Sequence, residues 1–213
     1  MPNWCSNKLE ISFNTEAELE SFVRFLEGGE DSNQFDFNLF VPCPKVIQNI
    51  STTYLPVRNR QSMQTLSYSD PSKKMPGRRG ETLSFSIHWR DAERLQKRFG
   101  STNWYDWNLE KWGTKWNTSD AVFQDVSGTC VEIYFDTAWG PPEPVIDAMA
   151  KMFPSAHIEF SYMETGCDFG GFVVYDNGVR GESLSGTALQ AAYYSPWHSA
   201  FISSDDEDEE GDE

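Results

Sequence analysis

No stretch of this chain approaches the roughly 18 consecutive apolar residues that a membrane-crossing helix needs. The opening Met1-Pro2-Asn3-Trp4-Cys5 shows no basic patch followed by an apolar run, so the pattern of a secretory leader is missing as well. The expectation is a cytoplasmic protein with no membrane partner. Cysteine is sparse: Cys5, Cys43, Cys130 and Cys167 lie far apart and no pair has metal-ligand spacing. His88, His157 and His198 are equally scattered. Reduced, mostly buried thiols and no metal are therefore expected. A phosphate-binding glycine loop followed by Lys-Ser/Thr is absent, as are a nucleophile elbow, the kinase motifs and the zinc-protease motif. No cofactor is expected, and the reading leans away from an enzyme.

Aromatic residues are abundant. The apolar share is a lean 38%, but eight Trp, eight Tyr and fifteen Phe raise the aromatic share to 15%. Each large ring can bury about 150–250 Å², so a sizeable core is within reach and a wholly disordered chain is excluded. Charge is uneven. The formal net charge is -16. Eight acids and no base follow Ser203-Ser204, in Asp205-Asp206-Glu207-Asp208-Glu209-Glu210-Gly211-Asp212-Glu213. From Lys45 to Lys115 there are 13 Lys+Arg against 6 Asp+Glu, so a basic middle lies between acidic flanks. The terminal acids carry no apolar residue and are expected to be disordered.

Alternation of Leu9, Ile11 and Phe13 with polar residues predicts a strand over 7–13. Thr15 and Glu18 form a capping-box pattern ahead of a helix whose stripe is Leu19, Phe22, Val23 and Leu26. Phe35, Phe37 and Leu39 predict a short extended stretch. Residues 45–82 show no clear periodicity and predict a long loop or irregular insertion. A strand is predicted over 82–89, then a helix capped by Asp91 and ended by Gly100. A Trp-rich helix runs to about Trp112, with Trp104, Trp107, Trp112 and Trp116 expected to be mostly buried. Strands over 121–126 and 130–136, a helix over 143–153 and strands over 158–163 and 169–175 follow, with Asp176-Asn177-Gly178 as a turn. Two strand–helix–strand passages, 7–40 and 130–163, predict an α+β fold. Its ferredoxin-like, antiparallel-rich sheet would carry helices on one face and a basic, Trp-rich insertion. The parts are read as 1–44 (strand-helix-strand), 45–117 (insertion), 118–202 (ferredoxin-like C-terminal part) and 203–213 (acidic tail).

Four segments carry a resemblance. They are Met1-Pro2-Asn3-Trp4-Cys5-Ser6-Asn7; Asn103-Trp104-Tyr105-Asp106-Trp107 with Trp112-Gly113-Thr114-Lys115-Trp116-Asn117; Thr137-Ala138-Trp139-Gly140-Pro141-Pro142; and Glu164-Thr165-Gly166-Cys167-Asp168-Phe169-Gly170-Gly171. In this order they resemble the YubB-like family of phage and plasmid accessory proteins. The resemblance implies a ferredoxin-like C-terminal domain, an origin in a mobile element and a place in the host cytoplasm. It implies no activity and no catalytic residues, and the acidic tail lies outside it.

Three functions remain open. The first is a phage or mobile-element accessory protein that binds and inhibits a host protein, such as a nucleic-acid-processing or anti-phage defence factor, by occupying its surface. The second is direct nucleic-acid binding through the basic, aromatic middle. Candidate contacts for either are Arg58, Arg60, Lys73, Lys74, Arg78, Arg79, Arg94, Lys97, Arg98, Lys111 and Lys115, with Asp205, Asp206 and Glu207 of the tail. The third is a small enzyme with its site at Glu164, Cys167 and Asp168, where a thiol and carboxylates flank a glycine-rich turn. Oligomeric state is not legible.

Overall fold

Nine strands and six helices are seen in a computed structural model that describes residues 3–29, 35–56, 62–74 and 82–194. In chain order they are β1 (Trp4–Ser12), α1 (Glu16–Leu26), α2 (Lys45–Gln48), β2 (Ile50–Pro56), β3 (Ser62–Lys74), β4 (Thr82–Ser86), α3 (Trp89–Phe99), α4 (Trp104–Lys111), β5 (Ser119–Ser127), β6 (Cys130–Ala138), α5 (Glu143–Met152), β7 (His157–Glu164), β8 (Phe169–Asp176), β9 (Val179–Gly186) and α6 (Ala188–Tyr194). They form two compact units, Met1–Val41 with Trp112–Glu213, and Pro42–Lys111.

The first unit is built on a six-stranded antiparallel sheet of order β5-β6-β1-β7-β8-β9. β1 lies between β6 and β7, with Leu9 opposite both Ile133 and Phe160. The β1-α1-β5 passage therefore straddles β6, and β6-α5-β7 straddles β1. These two interleaved β-α-β passages make the fold ferredoxin-like, as expected. Successive side chains alternate across a strand. Leu9, Ile11, Val131, Ile133, Ile158 and Phe160 thus share one face, and each is fully buried. α1 covers this face with Leu19, Phe22 and Leu26, and α5 with Val145, Ile146 and Met149. Phe22 meets Phe13 and Phe153 at ring separations of 5.5 and 5.0 Å. Burial of each such side chain contributes about 1.5–3 kcal/mol. The capping box at α1 forms: the Thr15 hydroxyl accepts from Glu18 N, and Glu18 accepts from Thr15 N.

The opposite sheet face is polar over β6, β1 and β7, where Lys8, Glu10, Glu132 and Glu159 project. Over β8 it is covered by α6. Gly170 permits that approach, because a Cβ there would sit 2.8 Å from the Cβ of Ala191.

Two local expectations are corrected in this unit. Phe37–Leu39 is a 3-10 turn, not an extended stretch, and the second strand of the first passage is β5. The cause is Asp36, whose Oδ1 accepts from Asn38 N at 2.8 Å and from Asn117 Nδ2 at 2.7 Å. Such short-range side-chain bonds compete with strand pairing. Trp116, expected to be mostly buried, is 38% exposed, whereas Trp112 is buried as expected; in the second unit Trp107 is buried and Trp104 half-buried.

In the second unit, β2, β3 and β4 form a three-stranded antiparallel sheet in that order. This corrects the loop expected over 45–82. Its strands are rich in Ser and Thr, which pair well in sheets but dilute the apolar alternation that marks a strand. Pro71 coincides with a register shift between Asp70 and Lys74, where a missing N–H is tolerated. α3 is capped by His88, not Asp91: His88 Nδ1 accepts from Arg90 N. Gly100, at φ 77°, ends the helix as expected.

Candidate binding surface at one end of the six-stranded sheet

β1 begins where β6 ends, with Trp4 opposite Ala138. Past Ala138 the chain turns sharply. Trp139 adopts φ 75° and donates its N–H to Asn3 O at 2.9 Å. A tryptophan in the left-handed region is uncommon and costs of order 1–3 kcal/mol, so the surroundings must hold it. They do so through buried polar groups. Asn7 Nδ2 donates to Thr137 Oγ1 at 2.9 Å and to Cys5 O and Phe135 O. Thr137 Oγ1 in turn donates to Gly140 O at 2.8 Å. Thr114 Oγ1 donates to Ala138 O at 2.8 Å, which fastens the 112–117 segment across the turn. Gly113 makes that approach possible. Its φ is 81°, and a Cβ would lie 2.7 Å from Pro141 O.

This scaffold leaves three indoles at the surface. Trp4, Trp116 and Trp139 are 44, 38 and 41% exposed. The Trp4 and Trp116 rings lie 6.3 Å apart. Lys115 Nζ lies 4.3 Å from the Trp116 ring centre and 4.7 Å from that of Trp139, so one ammonium serves two cation–π contacts.

The Glu164–Asp168 loop adjoins these residues, since Asn3 Nδ2 donates to Cys167 Sγ at 3.1 Å. Its polar groups hold the loop together. The buried Glu164 carboxylate accepts from Gly166 N at 2.8 Å and from Cys167 N. Asp168 Oδ1 accepts from Ala188 N at 3.1 Å. Burial, then the charge of Glu164, pushes the Cys5 thiol up to about 12, far from a reactive thiolate. His157 opens β7 and Glu164 closes it, about 23 Å away at strand rise, so that imidazole cannot serve Cys167.

The remaining described candidates belong to the second unit. Arg94 and Arg98 line a cleft in the second unit, whereas Lys97 pairs with Glu93 at 3.1 Å. Lys111 pairs with Glu110 at 2.7 Å. Lys73 and Lys74 close β3. Arg58, Arg60, Arg78, Arg79, Asp205, Asp206 and Glu207 lie outside the described residues. Among the described residues, no group of three or more His, Cys, Asp or Glu is arranged to hold a metal, and no helix is long and apolar enough to cross a membrane. The sequence reading missed Trp4 and Trp139 as surface residues. The available signal was at Trp139, which precedes Gly140-Pro141, where a turn places a large side chain outside a strand.

Residues 111–193 match the family described as the ferredoxin-like domain in Api92-like protein. The match spans β5 to α6, while β1 completes the same sheet from the N-terminal segment and α1 packs on it. Among solved structures, the crystal structure of a protein api92 from Yersinia pseudotuberculosis matches at 11% identity and a TM-score of 0.50, covering 87% of this chain and 98% of that one. At that identity the likeness is one of fold. A search of curated proteins finds no match.

Proposed function

We propose that the chain is a non-enzymatic accessory protein of a phage or other mobile element. In the host cytoplasm it binds and occupies a basic surface on a host protein that handles nucleic acid or defends against phage. The mobile-element origin rests on the resemblance to YubB-like proteins alone; Trp4, Trp116 and Trp139 belong to the segments that carry it. The observation that carries the reading is the surface of these three indoles on an acidic unit. Tryptophan is enriched among residues that dominate interface energies. Residues 1–41 and 112–213 carry 27 Asp+Glu against 5 Lys+Arg. Of those five, Lys8 is buried against Glu132 at 3.1 Å and Arg180 is paired with Glu143 at 2.6 Å. Such a field steers a positively charged partner and competes for sites that otherwise hold phosphate.

The test is affinity capture from host lysate with the wild-type chain and Trp116→Ala, read by quantitative mass spectrometry. A basic protein enriched by the wild type and depleted at least tenfold by the variant is expected, with both chains fully folded at the capture temperature. Equal capture by the two chains overturns the reading.

A further inference from the structure

α3 is amphipathic: Ala92, Leu95 and Phe99 lie at helical spacing and are half-buried, and its other residues are exposed. Helical spacing places Asp91, Arg94, Leu95 and Arg98 on one face. In a compact domain the inward face of a helix is normally apolar and buried, yet no residue of α3 is buried. The face instead borders a cleft of about 970 Å³, lined on its other side by Ile50, Tyr68 and Lys45 and closed near the helix end by Phe99. The cleft lies wholly within the second unit. Its size is at the upper end of ordinary ligand sites.

Its charge is one-sided. Among the described residues that line it, Lys45, Arg94 and Arg98 stand against Asp91 as the one acid, and Asp91 accepts from Arg94 at 3.1 Å. The unit as a whole carries 12 Lys+Arg against 6 Asp+Glu. Tyr68 and Phe99 add ring surface. Cations and rings around one cleft suit an anionic polymer that also offers planar rings.

We propose that this cleft binds single-stranded nucleic acid, independently of the tryptophan surface of the other unit. An unstacked base enters against Tyr68 and Phe99, and Lys45, Arg94 and Arg98 contact the flanking phosphates. A duplex keeps its bases stacked and cannot present one to the walls. An acidic polypeptide would satisfy the cations and leave the rings without a partner.

The test is fluorescence anisotropy of the full chain with a labelled single-stranded oligothymidine and the matching duplex at low salt. The single strand is expected to bind about tenfold or more tightly than the duplex. Arg94→Ala/Arg98→Ala is expected to lose at least about tenfold, with a salt dependence shallower by about 0.7 per lost phosphate contact. Lys97→Ala removes the same charge from the helix outside the cleft and is expected to stay within about twofold. Should the double variant fail to fold, Arg98→Gln alone is expected to lose about threefold. The proposal is overturned by absent binding at low salt, by equal losses in the Lys97 and Arg98 variants, or by polyglutamate displacing the oligonucleotide better than unlabelled oligothymidine does.

Discussion

Glu10 stands between Glu132 and Glu159 on the polar sheet face, directly opposite each in register. Partial burial raises its pKa first, and the two neighbouring carboxylates add to that while Lys8 opposes it. Lys8 lies closer to Glu132, 3.1 Å against 3.8 Å, and its bond helps hold the Glu132 carboxyl below its usual range despite partial burial. A carboxyl whose folded pKa lies above its unfolded value of 4.5 binds more protons when folded, so stability falls as pH rises from there through the folded pKa. Glu10→Gln is therefore expected to raise the thermal midpoint at neutral pH and to match the wild type well below pH 4.5; a lower midpoint at neutral pH would mean that the ionised form is net stabilising through Lys8. Two tryptophans four residues apart separate packing from contact. Trp112 is buried and its Nε1 donates to Val41 O at 2.8 Å, so Trp112→Ala should cost about 3–5 kcal/mol in urea unfolding. Trp116→Ala should cost well under half of that. The sequence reading expected both to be buried, with the helix ending at about Trp112. It could not separate them, because Gly113 at positive φ redirects the chain between them.

At the scale of elements, periodicity was a sound guide wherever an apolar face is covered. β1, α1, β6, α5 and β7 all carry the predicted stripes, and the Thr15 capping box and the Gly100 stop are seen at their predicted places. It failed where polar side chains decide. Asp36 and Asn117, 81 residues apart, set the 3-10 turn, and no local pattern announces a partner so distant. β2 and β3 were invisible because Ser and Thr replace the apolar partners of their alternation, whereas β4 falls within the strand predicted over 82–89. The candidate surface was legible as motif segments but not as a surface, since it exists only once β1 and β6 pair end to end. Gly113→Ala tests that assembly. Positive φ alone costs about 1–2 kcal/mol, and the added methyl collides with Pro141 O. Denaturant unfolding should show a loss of at least about 2 kcal/mol, accompanied by loss of partner capture. Retained capture with full stability would show that the 112–117 segment is not held as described.

At the scale of the molecule, charge separates along the chain: the unit of residues 42–111 is basic in composition and the unit formed by 1–41 with 112–213 is strongly acidic. That asymmetry was visible in the sequence as a basic middle between acidic flanks. What the fold adds is that the two acidic flanks are one body, because β1 lies inside the sheet that the C-terminal strands build. The tryptophan surface belongs to the acidic body and the α3 cleft to the basic one, so the two proposed contacts answer to opposite charges. The most direct measurement places a photo-crosslinking benzoylphenylalanine at position 116, with position 179 as control. Val179 is 66% exposed at the far end of β8 and β9 from the tryptophan surface. In host lysate the 116 derivative should form an adduct with a basic protein that the 179 derivative does not form, and the adduct should fade as salt rises. Equal adducts at both positions, or adducts at 116 with nucleic acid alone, would contradict the account.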